Sequence, residues 1–345
     1  MRILLIKPKH IGDTLILTPT IGGIKRAFPD AEIWVVVRRG CEGILAGCPD
    51  IHRILTVVAV EKRERRRGDI FRDAGSLLQL RRVKFDYAFE LGDGSRGRIF
   101  TVLSRSARRY SVKPDVGFHP TKPHQFSGIS KLEWKKYHRV EKDYFTVSEF
   151  LPLPLPIPPL RFDREFAQSW KPAEELTDFC VMQTGKRQAP SRWRLDRWEE
   201  VGRHLLERFR SVVILSGPAG HEVEEALALK ERLGPRVLCT LGQTNWPQVA
   251  GLLYRARLYV GLDTAATHLA AACRCPIVAL FGPTYEGHWH PWQAPHRIVN
   301  GTNDAPTGDK TFDYERAKRR SMDDIHPRDV IAACEDILSE APQPA

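Results

Sequence analysis

Long apolar runs are missing from these 345 residues. No stretch approaches the roughly 18 to 20 consecutive apolar residues that a membrane-spanning helix needs. The first residues lead straight into a strand pattern rather than a leader peptide, so an intracellular protein is expected. Cysteine is present without a pattern: the seven residues include no Cys-x-x-Cys, and the one close pair, Cys273-x-Cys275, falls in a segment that reads as packed core. A disulfide framework or thiolate metal site is therefore not expected, and buried thiols in a reducing compartment are. No Asp-x-Asp pair able to hold a divalent cation occurs. Zinc-finger spacing, an aromatic-bearing RNA-recognition segment and a basic heptad helix are missing too. Acidic residues are scarce in one half only. Residues 1–160 carry 29 Lys and Arg against 17 Asp and Glu, and residues 161–345 carry 24 against 25, so the whole excess of +11 lies in the N-terminal half. Such a half suits an anionic partner: a phosphorylated or carboxylated glycolipid, an acidic membrane surface or a nucleic acid.

What is present begins with the first thirty-seven residues. Ile3 to Ile6 form an uninterrupted apolar run, as in a strand buried on both faces, and Ile33 to Val37 repeat it after Phe28-Pro29-Asp30 has stopped an intervening helix. This is the opening unit of a parallel α/β sheet. Asp13 sits at the C-terminal edge of the first strand, where open α/β sheets bind ligands, and Gly12 beside it leaves room for close approach. Asp13 suits either a carboxylate that meets a ligand or a helix N-cap.

The segment Lys7-Pro-Lys-His-Ile-Gly-Asp-Thr-Leu-Ile-Leu-Thr-Pro19 resembles the opening signature of the bacterial heptosyltransferases, glycosyltransferase family nine. Its Lys-x-x-His-x-Gly-Asp form is most similar to the branch that adds a third or side heptose to the inner core of lipopolysaccharide. The resemblance implies that Asp13 is the catalytic base, with Lys7 and His10 of the same turn on the acceptor.

Along the chain, residues 51–60 read as a strand and Glu61 to Arg67 as a charged run, either a solvated face or a membrane or acceptor contact. A strand at residues 85–91 leads into Gly92-Asp-Gly94-Ser-Arg-Gly97, which spells G-x-G-x-x-G. It follows the wrong strand for a dinucleotide fingerprint, and reads as a loop on the ligand side, with a nicotinamide enzyme left open. Residues 105–142 interleave basic residues with aromatics and histidines and read as loops with short helices: an acceptor wall, or a single-strand nucleic-acid surface. Residues 151–159, LPLPLPIPP, cannot be helix or central strand and mark the end of the first domain.

In the second half, the strand Phe179–Gln183 runs into a Gly-bearing basic loop with Thr184, Lys186, Arg187 and Arg192, either a diphosphate cradle or a solvated loop. The family usually has Lys-x-Trp-Pro here. This chain has Ser191-Arg192-Trp193-Arg194, so the cation would come from Arg192, Lys186 or Arg187. The turn Ser216-Gly-Pro-Ala-Gly-His-Glu222 resembles the one whose glutamate holds the nucleotide ribose; Glu222 equally suits a helix first turn. Asp263-Thr264-Ala265-Ala-Thr-His268 matches the family's Asp-(Thr or Ser)-(Gly or Ala)-x-x-His pattern, with helix amides for phosphate oxygens and His268 on the face of Thr264. Residues 300–320 read as a flexible insertion. Pro327 to Leu338 reads as a terminal helix.

The resemblance implies an α/β GT-B fold: two Rossmann-like domains with parallel sheets facing a central cleft. The expected division is an acceptor domain at 1–160, a nucleotide-sugar domain at 161–325, and a helix at 326–345 packing back on the first domain. The implied reaction is inverting, metal-independent transfer of heptose from ADP-heptose to the lipopolysaccharide inner core (Kdo/heptose-lipid A), at the cytoplasmic face of the inner membrane. No cofactor is expected, and no nucleic acid. The alternatives are another nucleotide-activated sugar, or a basic nucleic-acid-binding protein.

Overall fold

In a computed structural model of the chain, residues 1–58, 69–92, 94–113, 121–185, 192–302 and 306–340 are described. The chain divides into two compact units, Met1–Pro158 and Pro159–Ala345, inside the proline-rich stretch.

The first unit runs β1 (Arg2–Lys7), α1 (Ile11–Leu15), α2 (Thr18–Ala27), β2 (Glu32–Arg38), β3 (Ile51–Val57), α3 (Asp69–Arg82), β4 (Lys84–Glu90), α4 (Ser95–Leu103), β5 (Arg105–Ser111), β6 (Gly128–Ile129) and α5 (Arg139–Ser148). Its six strands are all parallel, in the order β3-β2-β1-β4-β5-β6. Ile3 to Ile6 are fully buried at the centre of that sheet. The single helix expected between β1 and β2 is two. α2 restarts with Pro19 in its first turn, where the missing N–H leaves no hydrogen bond unmade. Arg105–Ser111, expected as loop, is a strand: Ser106 and Tyr110 point inward while the arginines between them stay outside or half-buried. The charged run Glu61 to Arg67 lies outside the described residues.

The second unit runs β7 (Phe179–Gln183), α6 (Leu195–Arg208), β8 (Ser211–Leu215), α7 (Gly220–Leu233), β9 (Val237–Cys239), α8 (Trp246–Leu253), β10 (Tyr259–Leu262), α9 (Ala265–Ala272), β11 (Ile277–Leu280), α10 (Glu286–Trp289), β12 (His296–Val299), α11 (Lys310–Ala317) and α12 (Pro327–Glu340). Its strand order is β12-β11-β10-β7-β8-β9, again all parallel. Counted from the first strand of each unit, both sheets have the doubly wound order 3-2-1-4-5-6, which places a crevice at the C-terminal ends of the two central strands. Those strands are β1 and β4 in one unit, β7 and β10 in the other.

Within 300–320, residues 310–317 are helical rather than flexible. Asp309 caps α11, accepting from the N–H groups of Thr311 and Phe312 at 2.9 and 3.1 Å. α12 belongs to the second unit: Val330, Cys334 and Ile337 enter its core beside Trp198, Val201 and Leu205 of α6. No helix among the described residues is long and apolar enough to cross a membrane.

Candidate functional site

In the first unit, His10 occupies the N-cap position of α1 with extended backbone, and its carbonyl accepts from both the N–H and the hydroxyl of Thr14 at 3.1 Å. Asp13 is thus the third residue of the helix and not its cap. Among the described residues its half-buried carboxylate makes no hydrogen bond or ion pair, so it is available to a ligand at the sheet edge. His10 is exposed beside it. Lys7, assigned to the acceptor from sequence, is only 4% exposed, and its ammonium is engaged by the carboxylate of Asp143 on α5.

At the end of β4, the Glu90 carboxylate is fully buried. It accepts from the N–H of Gly92 at 2.8 Å and from the Ser111 hydroxyl at 2.9 Å. Arg98 completes the group, donating to Ser111 Oγ at 2.6 Å and to Thr121 Oγ1 at 2.9 Å, with its guanidinium 4.4 Å from the Phe126 ring. Burial lowers the Arg98 pKa, and Glu90 opposes the shift. A Cβ at Gly97 would stand 2.8 Å from Glu90 Oε1, and one at Gly92 would stand 3.2 Å from it. Two of the three glycines of G-x-G-x-x-G are therefore accounted for by an oxygen anion belonging to the chain itself. Nothing in the sequence spacing could separate that anion from a ligand's phosphate.

In the second unit, Gln183 at the end of β7 links the two sides of the edge. Its Oε1 accepts from the hydroxyl of Thr264 at 3.1 Å, and its side-chain amide donates to the carbonyl of Gly185. Thr264 is the N-cap residue of α9, but its hydroxyl goes to Gln183 instead of capping. Asp263 Oδ1 stands 4.0 Å from His268 Nε2. His268 is buried, one turn into α9, with its ring 6.0 Å from that of Trp289. Ala265 opens the helix.

Glu222 lies in the first turn of α7, and one of its oxygens accepts from the N–H of Gly217 at 2.7 Å. A Cβ at Gly185 or Gly217 would run into this carboxylate, so the turns after β7 and β8 close round it. Thr184 and Ser216 follow the register pair Gln183↔Leu215. Both hydroxyls are buried and lack a hydrogen-bond partner among the described residues. Buried polar groups are almost always satisfied, and two neighbouring exceptions at a sheet edge fit an incoming polar ligand. Arg192 is half-buried and pairs with Glu225 of α7 at 3.7 Å. Lys186 and Arg187 lie outside the described residues.

The structure therefore gathers Thr184, Glu222, Asp263, Thr264, Ala265 and His268 at the edge of one sheet, and His10 and Asp13 at the edge of the other. Sequence reasoning missed Glu90, Asp143, Gln183 and Ser216. Gln183 ends β7 next to Thr184, and Ser216 opens the turn after β8 that leads to Glu222, signals that could have found them.

The chain is similar to known proteins in sequence and in fold. The family description "Glycosyltransferase family 9 (heptosyltransferase)" matches residues 79–317. Lipopolysaccharide heptosyltransferase 3 of Escherichia coli K12 is 25% identical over 358 residues, covering 96% of each chain. Lipopolysaccharide heptosyltransferase 2 of Salmonella typhimurium LT2 is 24% identical over 99% of each. Among solved structures, a family 9 glycosyltransferase from Veillonella parvula superposes with a TM-score of 0.82 at 19% identity, covering 99% of this chain and 98% of that one. E. coli heptosyltransferase WaaC with ADP superposes with a TM-score of 0.80 at 18% identity, covering 98% and 100%. With two doubly wound units of GT-B type and a family match over most of its length, the chain belongs to glycosyltransferase family 9, the heptosyltransferases.

Proposed function

We propose that this enzyme transfers heptose from ADP-heptose to the inner core of lipopolysaccharide, with inversion and without a metal ion. The observation that carries the donor assignment is the edge of the second sheet. There a carboxylate (Glu222) suits two adjacent ribose hydroxyls, while two unpartnered hydroxyls (Thr184 and Ser216) and the opening amides of α9 suit diphosphate oxygens. A relative of the same fold is known with ADP. Arg192 and the basic loop before it supply positive charge as ADP departs.

The acceptor binds the first unit, whose sequence holds the whole basic excess, in keeping with a phosphorylated glycolipid and with peripheral contact at an acidic membrane face. Asp13 takes the proton from an acceptor hydroxyl as that oxygen bonds to the anomeric carbon of the heptose. The bond from that carbon to the ADP oxygen breaks, and ADP leaves with the electron pair. His10, exposed beside Asp13, meets the acceptor.

General-base assistance is worth roughly 10² to 10⁴ in rate. Asp13→Asn is therefore expected to cut turnover on a truncated lipopolysaccharide by that factor while ADP binding, measured by calorimetry, is retained. Undiminished turnover would remove Asp13 from the chemistry. Tighter binding of UDP or GDP than of ADP would replace the donor.

A further inference from the structure

We infer that Asp143 is a positioning residue for the reaction: it holds the Lys7 ammonium away from Asp13, so that the Asp13 carboxylate stays free for the acceptor's proton. The inference rests on Asp13 being the base.

Lys7 is the last residue of β1, and the turn that follows it carries His10 and Asp13. Its side chain is 5% exposed and that of Asp143 is fully buried. One Asp143 oxygen takes the ammonium, and the other has no hydrogen-bond partner among the described residues. A buried ion pair with an unsatisfied oxygen is a poor source of stability, because desolvating both charges offsets their attraction. Apolar side chains of similar volume commonly do as well or better. The pair therefore calls for a role other than stability.

The surrounding charges indicate which. Burial raises the Asp143 pKa, Lys7 and the neighbouring Lys142 of α5 oppose the shift, and the negative charge of Asp13 adds to it. Asp13 thus acts electrostatically on Asp143, and the same field acts on the cation bound there. From the other side, the Cys41 thiol after β2 lies near enough to Asp13 to feel its charge. Burial pushes the Cys41 thiol up to about 11 against the opposing Arg38, with Glu42 and Asp13 adding to the rise, so the thiol is neutral. Without Asp143, the Lys7 ammonium is left in the field of Asp13, whose charge already reaches the Asp143 position. Pairing with Asp13 would occupy the lone pair that must accept the proton.

The test is a double-mutant cycle at positions 7 and 143, with steady-state kinetics and thermal melting for each protein. In Asp143→Asn the freed ammonium is expected to lower kcat about 10²-fold with the donor KM unchanged. In Lys7→Met/Asp143→Asn no ammonium is left at position 7, and kcat is expected to return to within about tenfold of the parent. A merely structural role also predicts recovery in the double variant, which no longer buries a lone ammonium, but it ties the lost kcat to a lost fold; the positioning role lowers kcat in Asp143→Asn at a temperature well below its Tm, where the variant is fully folded. The proposal is overturned if Asp143→Asn turns over like the parent, or if the double variant is no better than Asp143→Asn. Should Asp143→Asn fail to fold, Asp143→Ser takes its place in the same cycle, read against the same two outcomes. Asp13→Asn keeps the two claims apart. If it remains active, the base assignment fails and this inference with it; if it is inactive and the cycle shows no rescue, only the inference fails.

Discussion

A methyl group at position 97 would lie 2.8 Å from Glu90 Oε1, inside the distance at which side-chain carbons meet other atoms. Because Gly97 is helical, alanine there would ordinarily gain about 1 kcal/mol from propensity. Here it has to displace a fully buried carboxylate from Gly92 and Ser111. Gly97→Ala is expected to lose about 1 to 3 kcal/mol in urea unfolding. Gly94→Ala, whose new carbon would meet its nearest neighbour at 3.8 Å, serves as the near-neutral control. His290 gives a second prediction, in pH. Burial lowers its pKa from 6.5, and His296 and His268 push the same way. Below about pH 6.5 the unfolded chain takes up a proton that the folded one refuses, so stability present above that pH is lost on acidification. His290→Gln should flatten the fall in Tm between about pH 6.5 and 5, and an unchanged slope would exclude the residue. The placement of Asp13, Glu222 and His268 near strand ends was legible in the sequence because each follows an apolar run with a glycine or cap signal beside it. Asp143 was not, because its partner Lys7 lies 136 residues away and no local pattern marks the pair.

At the scale of elements, α12 is held in the second unit by more than its apolar face. Nη1 of Arg197 on α6 donates to the carbonyls of Asp323 and Ile325 at 2.8 and 2.6 Å, and Trp193 Nε1 donates to that of Ile325 at 3.1 Å. Together they fasten the turn that delivers the helix. Ile337→Ala, at a core position 2% exposed, should lose about 2 to 5 kcal/mol in denaturant unfolding. A loss below 1 kcal/mol would mean that α12 is dispensable to the core. The helix itself was readable from its apolar spacing, but its packing partner was not, since amphipathic periodicity says which face is buried and not against what. α11 escaped for another reason. Its few apolar residues give no period, and the helix depends on the Asp309 cap and the Arg316–Asp313 pair. The tryptophan that marks the family's departure at Ser191-Arg192-Trp193 proves to be core, packed edge-on against Trp198 at 4.8 Å. Its conspicuous place in the motif thus has a structural cause.

For the whole molecule, the donor site proposed in the second unit has a thermodynamic signature. A ligand that binds only the folded form stabilises it by about 2.7 kcal/mol at a hundredfold excess over Kd. ADP should therefore raise the melting of the second unit in calorimetry, with UDP and GDP raising it less. Equal shifts with all three would leave the base unrecognised. The parallel α/β class was legible from alternating buried strands and helices, and the doubly wound form of both halves from the family resemblance. The central strand pairs were not, because strand order is set by crossovers that leave no local mark. Those pairs bear on how the protein comes into being. Leu91 donates its N–H to the carbonyl of Ile6 at 2.9 Å, and Thr264 reaches Gln183 across 81 residues. Each ligand-binding edge thus joins two segments separated by roughly half of their own unit, and neither can exist until a long loop has closed. On the ribosome, a nascent chain that has emerged only as far as β3 already displays the whole Lys7–Pro19 signature, yet has no β4 beside it. Competence at each edge then arrives late and in one step, when the fourth strand docks.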